Sequence, residues 1–302
     1  MLMHHTITLI CNPANVVLDT AVISDVSDAL EKAGGQPGIA DWLDGPIACD
    51  LACAGLPPGE IEDIVRDFLE DAPIDVVVQA AEEQRRRALL IADMDSTIIT
   101  VECLDELADF AGKKLEVSAI TERAMRGELV FEEALRTRIA ILAGLPDSAL
   151  QATYEERVRL MQGARTLVRT MAAHGAQAVL VSGGFSYFTE RVAAAAGFHA
   201  ERANRLLFED GRLLGVAEPI LGREAKLQAL LDFCSVHGLQ ADQAMAIGDG
   251  ANDLAMIQAA GMGVAFHAKP VVAQAARARI DHGDLTALLY LQGYRGGDFI
   301  RD

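Results

Sequence analysis

Two aspartates one residue apart, Asp93 and Asp95, close the apolar run Ala88-Leu89-Leu90-Ile91-Ala92 and are followed by Ser96-Thr97. The run is bounded upstream by Arg85-Arg86-Arg87. Being apolar on both faces, it predicts a strand buried on both sides of a parallel sheet. Open α/β sheets bind ligands just beyond the carboxyl ends of their strands. Side-chain direction repeats every second residue of an extended chain, so both carboxylates point to one side of that crevice. Two like charges so close together hold a cation or raise one pKa. In isolation the same string also reads as a helix cap, because Asp, Ser and Thr are all good N-caps.

Three more polar clusters fall at strand ends or helix starts. A buried strand expected over 176–181 ends at Ser182-Gly183-Gly184, where a hydroxyl and two glycines let backbone N–H groups approach an anion. Lys226 stands early in a helix expected over 224–235. The strand expected over 244–247 runs into Gly248-Asp249-Gly250-Ala251-Asn252-Asp253. Each alone has an ordinary reading: a turn, a solvated helix lysine, a pair of turn and cap acids.

The elements that must position these groups follow from hydrophobic spacing. Residues 6–11 alternate like a half-buried strand, and 19–33 carry helical spacing that ends at Gly34-Gly35. Segments near 38–43 and 46–53 flank the turn Asp44-Gly45, a helix is expected over 59–70, and a strand over 74–78. This βαββαβ order predicts a small α+β domain over 1–80. It resembles the ACT family of regulatory modules, which implies regulation or dimerisation, and a homodimer is compatible with it. Residues 81–87 are expected to be a solvated linker. Helical spacing over 102–111, 116–125, 131–143 and 147–160 predicts a cap at about 101–163, inserted straight after the first strand of a second domain, 88–302. Further helices are expected over 164–174, 186–196, 254–260 and 271–277, a hairpin over 204–216, and a strand over 262–266. The fold class is therefore α/β, with a Rossmann-like parallel sheet, an inserted helical cap and a preceding α+β domain.

Length and composition fit a two-domain globular chain: 302 residues, 51% hydrophobic and 23% charged. The net charge is −18, and residues 1–84 carry Lys32 and Arg66 against 16 acids. That excess reads as a solvated acidic face and argues against nucleic-acid or anionic-lipid partners. Cys11, Cys49, Cys53, Cys103 and Cys234 are scattered without a Cys-x-x-Cys pair, which suggests reduced thiols and a cytoplasmic protein. No signal peptide and no run long enough to span a bilayer are expected.

The order and contexts of Asp93/Asp95, Ser182, Lys226 and Asp249/Asp253 match the four motifs of the haloacid dehalogenase (HAD) superfamily. With Glu102, Met125, Phe131 and Arg138 inside the expected cap, residues 88–290 resemble the phosphoserine phosphatase family within it. The resemblance implies hydrolysis of O-phospho-L-serine through an aspartyl-phosphate, as in the last step of serine biosynthesis, with Mg²⁺ as cofactor. It implies Asp93 as nucleophile, Asp95 as general acid and base, and Asp93, the Asp95 carbonyl and Asp249 as metal ligands. Ser182, Lys226 and the N–H of Gly183 would hold phosphoryl oxygens, with Asn252 supporting the phosphate or the metal's water shell and Asp253 positioning Lys226. Arg138 would clamp the substrate carboxylate, Glu102 would pair with its ammonium, and Met125 and Phe131 would exclude water. Asp105, Glu106 and Asp109 are read as surface. Two rivals are the same machinery acting on, or transferring phosphate to, another small molecule such as homoserine, and a catalytically silent ligand sensor.

Overall fold

The computed structural model describes residues 4–81 and 83–301. The chain divides into two compact units, one made of 1–87 and 279–302 and the other of 88–278.

The first unit opens with β1 (His4–Cys11), α1 (Thr20–Lys32), β2 (Gln36–Asp44), β3 (Ala48–Ala54), α2 (Pro58–Leu69) and β4 (Ile74–Ala80). The expected βαββαβ order is found. Asp19 caps α1 by accepting the Val22 N–H at 2.9 Å, and Pro58 begins α2, where a missing N–H costs nothing. The strands form an antiparallel sheet in the order β2-β3-β1-β4. Its helix-side core joins Ile7, Leu9 and Leu51 to Val26, Leu30, Ile61 and Val65, the odd-numbered face of β1 meeting the apolar stripes of both helices.

Two expectations for this unit are overturned. The second domain does not run to residue 302, because 279–302 packs with the first unit. The Asp75 carboxylate accepts the backbone N–H groups of Asp281 and Gly283, both at 2.7 Å, and that of His282, and Asp44 accepts the Tyr290 hydroxyl at 2.8 Å. Nor are the arginines of 81–87, expected to be a solvated linker, all solvated, although Arg86 is exposed. Arg87 is buried, and the Arg85 guanidinium donates to Asp50, to Thr8 and to the carbonyls of Tyr290 and Leu291.

The second unit holds β5 (Leu89–Ala92), α3 (Cys103–Phe110), α4 (Lys114–Met125), α5 (Phe131–Ile141), α6 (Ser148–Glu156), α7 (Ala164–Ala173), β6 (Gln177–Phe185), α8 (Ser186–Ala196), β7 (Ala200–Asn204), β8 (Leu206–Glu209), β9 (Arg212–Val216), α9 (Arg223–Val236), β10 (Ala244–Gly248), α10 (Leu254–Ala259), β11 (Met262–Phe266) and α11 (Pro270–Ala273). Its parallel strands run in the order β11-β10-β5-β6-β7, which puts β5 at the centre. Every residue of β5 and of β10 is buried, as an apolar run covered on both faces requires. Helices α3 to α6 fall between β5 and α7, and an antiparallel bridge between Ile99 and Leu160 draws the two ends of this insertion together. The chain then leaves through β12 (Ala278–Ile280) and α12 (Ala287–Leu291).

Two local readings differ. β6 continues through Ser182-Gly183-Gly184 to Phe185 instead of ending in a turn. β7, β12 and α12 have no sequence counterpart, being short and weakly patterned. No helix of the described residues is long and apolar enough to cross a membrane.

Candidate active site

Asp93 follows the last residue of β5, and its N–H donates to the Ile247 carbonyl of β10 at 3.0 Å, so the neighbouring strand fixes where the carboxylate emerges. Lys226 sits in the first turns of α9, fully buried, with Nζ 2.5 Å from Asp93 Oδ1 and 2.6 Å from Asp253 Oδ1. A fully buried lysine needs such partners. Burial works against its charge, but Asp253 and Asp93 more than offset this and hold the ammonium above the ordinary lysine range. Asp253 is itself held by the Gly250 N–H at 3.1 Å, so both of its oxygens are engaged. A side chain at Gly248 would strike that carboxylate, which is why β10 ends in glycine.

One pocket is lined by Asp93, Asp95, Glu102, Met125, Phe131, Arg138, Ser182, Gly183 and Asn252. Nine of the residues singled out from the sequence therefore meet around one space. Lys226 and Asp253 join it through Asp93, and Asp249 lines a neighbouring cavity that shares Glu102 and Met125 with it. The cap contributes the apolar wall: a Cβ at Gly183 would lie 2.5 Å from the Phe131 ring, so α5 rests its first aromatic on a bare stretch of β6. Ser182 is buried, and its Oγ accepts the Gly184 N–H at 2.8 Å.

The electrostatics are those of crowded acids. Burial, with Asp253 alongside, pushes Asp93 up to about 7 in spite of Lys226. Burial also drives Asp95 well above the carboxylate range, helped by Glu102 and Asp93. Asp249 is driven well above that range for the same cause, with the like charges of Glu102 and Asp93 adding to it. Glu102 is raised by burial and partly restored by Ser96, whose Oγ donates to it at 2.6 Å. Oxygens of Asp93, Asp249 and Asp253 lie within 4.8 Å of one another. Asp95 Oδ1 and Asn252 Oδ1 are buried without a hydrogen-bond partner. Such an all-oxygen set, richer in negative charge than Lys226 can balance, suits a hard divalent cation. Asp93, Asp249 and Asp253 can each offer it an oxygen, Asp253 while also accepting from Lys226 and the Gly250 N–H.

Several functional contacts escaped the sequence reading. Thr97 Oγ1 donates to Asp249 Oδ1 at 3.3 Å. Ser96 reaches Glu102 from a left-handed backbone, φ 57°, uncommon for a residue with a side chain. Both lie in the motif with Asp93 and Asp95, which was the available signal. Asn204 donates to the Gly183 carbonyl at 2.8 Å and accepts the Leu221 N–H at 2.6 Å, tying β6 to the approach to α9; a lone asparagine gives no such signal. Asp105 is not surface: it is buried and accepts the Thr121 hydroxyl at 2.6 Å. Glu106 pairs with Lys114, and Asp109 with Arg157.

Known proteins resemble the chain in sequence and in fold. The sequence model of the haloacid dehalogenase-like hydrolase family matches residues 90–258. The chain is 46% identical over 209 residues to a phosphoserine phosphatase of Albidiferax ferrireducens, covering 67% of this chain and 88% of that protein. It resembles a HAD family hydrolase of Salmonella enterica serovar Typhi with a TM-score of 0.80 and 28% identity, over 95% of this chain and 98% of that one. A phosphoserine phosphatase solved as a phospho-aspartyl intermediate analogue matches with a TM-score of 0.65 and 34% identity, over 68% of this chain and 98% of that one.

Proposed function

The chain belongs to the haloacid dehalogenase-like hydrolase family, and from that premise we propose that it is a phosphoserine phosphatase, hydrolysing O-phospho-L-serine to L-serine and phosphate. The observation that carries the substrate is the pocket itself, which sets a buried guanidinium, Arg138, and the carboxylate of Glu102 in the same space as Asp93 and Asp95.

Phosphoryl transfer depends on positioning and on neutralising charge at the equatorial oxygens. An Asp93 oxygen attacks phosphorus as the bond to the serine oxygen breaks, forming an aspartyl-phosphate and dividing one displacement into two. Asp95 gives its proton to the departing serine oxygen. Its position well above the carboxylate range suits a group that must arrive protonated. The resulting Asp95 carboxylate then takes a proton from water as that water attacks phosphorus, which releases phosphate and restores Asp93. Lys226 balances the charge of Asp93 and Asp253, while the Ser182 hydroxyl and the Gly183 N–H face the phosphoryl oxygens. Asp93 and Asp249, with the Asp95 carbonyl, would hold Mg²⁺, which supplies positive charge against the phosphoryl oxygens when bound. The Arg138 fork reads the substrate carboxylate, Glu102 its ammonium, and Met125 and Phe131 keep water out. We read the first unit as an ACT-like module on the strength of its βαββαβ order, and five unpaired, buried cysteines favour a cytoplasmic setting.

Phosphate release from O-phospho-L-serine, homoserine phosphate and a sugar phosphate, with Mg²⁺ or EDTA, tests the reading. Metal-dependent turnover concentrated on O-phospho-L-serine and abolished by Asp93→Asn is expected. Preference for another ester would overturn the roles of Arg138 and Glu102. No turnover by folded protein would leave a ligand sensor.

A further inference from the structure

Arg138 does not stand alone in the cap. Its Nη1 donates to Thr121 Oγ1 at 2.9 Å, and its Nε to the Ala134 carbonyl one turn earlier at 3.3 Å. Thr121 Oγ1 in turn donates to Asp105 Oδ1 at 2.6 Å. All three side chains are buried. The proton directions follow from chemistry: a guanidinium only donates, a carboxylate only accepts, and a hydroxyl has one proton to commit. The Val117 carbonyl also lies within reach of the hydroxyl, at 3.2 Å, but the charged Asp105 oxygen at 2.6 Å is the nearer and stronger acceptor. With the proton directed there, the Thr121 oxygen presents its lone pairs to Arg138. The relay ties α5 to α4 and α4 to α3. Arg138 alone of the three lines the substrate pocket. Thr121 and Asp105 line a neighbouring cavity of about 410 Å³ on the far side of Glu102.

We propose that Thr121 and Asp105 are positioning residues that orient the Arg138 guanidinium, and so select phosphomonoesters that carry a carboxylate. The inference rests on the reading of Arg138 as the carboxylate clamp. Two-pronged recognition demands that the plane of the fork be held, since a carboxylate meets both N–H groups only in that plane. Ala134 and Thr121 occupy Nε and one Nη1 hydrogen. Nη2 and the second Nη1 hydrogen remain for the substrate. A freely turning arginine would still attract anions but would lose this fit.

The test compares O-phospho-L-serine with O-phosphoethanolamine, which lacks the carboxylate, in steady-state kinetics of the Mg²⁺-loaded full-length protein. Thr121→Val keeps the shape and deletes the hydroxyl. It is expected to raise KM for O-phospho-L-serine about tenfold at nearly unchanged kcat, and to leave kcat/KM for O-phosphoethanolamine within about twofold. Thr121→Ser should restore the wild-type values, and Asp105→Leu should shift KM with the same selectivity. An equal loss on both substrates, no loss on either, or failure of serine to rescue would overturn the proposal. Arg138→Ala run alongside separates two kinds of failure. If it does not penalise the carboxylate-bearing substrate selectively, the reading of Arg138 falls and the relay with it. If it does and Thr121→Val does not, only the relay falls.

Discussion

Lys226 stands between two carboxylates, and its loss would leave Asp93 and Asp253 facing each other in a buried site. Removing a single preorganised charge of this kind typically costs about 10²–10³ in kcat, and Lys226→Met is expected to fall in that range while KM changes less. The raised Asp95 predicts a pH effect with a definite sign. A group held above its ordinary range keeps its proton as pH rises past the usual carboxylate values and loses it only later. The first step should therefore fail on the alkaline side, where Asp95 can no longer protonate the serine oxygen. A pH–kcat profile should show that descending limb with O-phospho-L-serine and a weaker one with p-nitrophenyl phosphate, whose leaving group needs no proton. A similar limb for both substrates would count against Asp95 as the acid. Gly183→Ala would drive a methyl group into the Phe131 ring. It should raise KM, and a second substitution, Phe131→Leu, should recover part of the loss; a double mutant no better than the single would mean that the two do not meet.

At the scale of elements, the site is made by strand ends. β5, β6 and β10 lie side by side, and Asp93, Ser182 and Asp249 stand at or near their carboxyl ends, as an open parallel sheet dictates. Asn204 holds this arrangement by bonding the Gly183 carbonyl and the Leu221 N–H. Asn204→Ala would strand buried backbone groups at about 1–3 kcal/mol. A lower Tm accompanied by reduced kcat is expected, because both Ser182 and α9 would be loosened. A lower Tm with kcat intact would limit Asn204 to stability. The strand-end groups were legible because each lies within a short string whose local pattern is strong. The extension of β6 through two glycines was not, since glycine signals turns and only the neighbouring strand and the Phe131 ring explain its place there.

At the scale of the molecule, the first unit closes with residues 279–302. The Asp75 carboxylate gathers three backbone N–H groups of that segment, and α12 packs on β1. Asp75→Ala would take the acceptor from these donors, of which the Gly283 N–H is buried and those of Asp281 and His282 are partly solvated. The cost is about 1–3 kcal/mol, so calorimetry should show a lower Tm, with Asp75→Asn in between. An unchanged Tm would mean that the three bonds are not needed to hold the segment. Part of the acidic excess in 1–84 is likewise paired within the unit. Asp50 meets Arg85 largely out of solvent, against the reading of a solvated face, whereas Asp41 with Arg295 and Asp44 with Arg301 pair at the surface.

What the sequence determined by itself was local: the apolar strand running into Asp93 and Asp95, the glycine- and acid-rich string after β10, the βαββαβ order, and the helical insertion. Propensity, periodicity and turn chemistry act over a few residues, so these features are written in adjacent positions. What only the tertiary structure decided was which distant groups satisfy one another. Asp105 becomes a buried acceptor because α4 brings Thr121 to it, Asn204 a brace because β6 and the start of α9 converge there, and the last two dozen residues part of the first unit because Asp75 offers acceptors to their N–H groups. A buried polar group must find a partner, but the rule does not say which one; only the packing of the whole chain does.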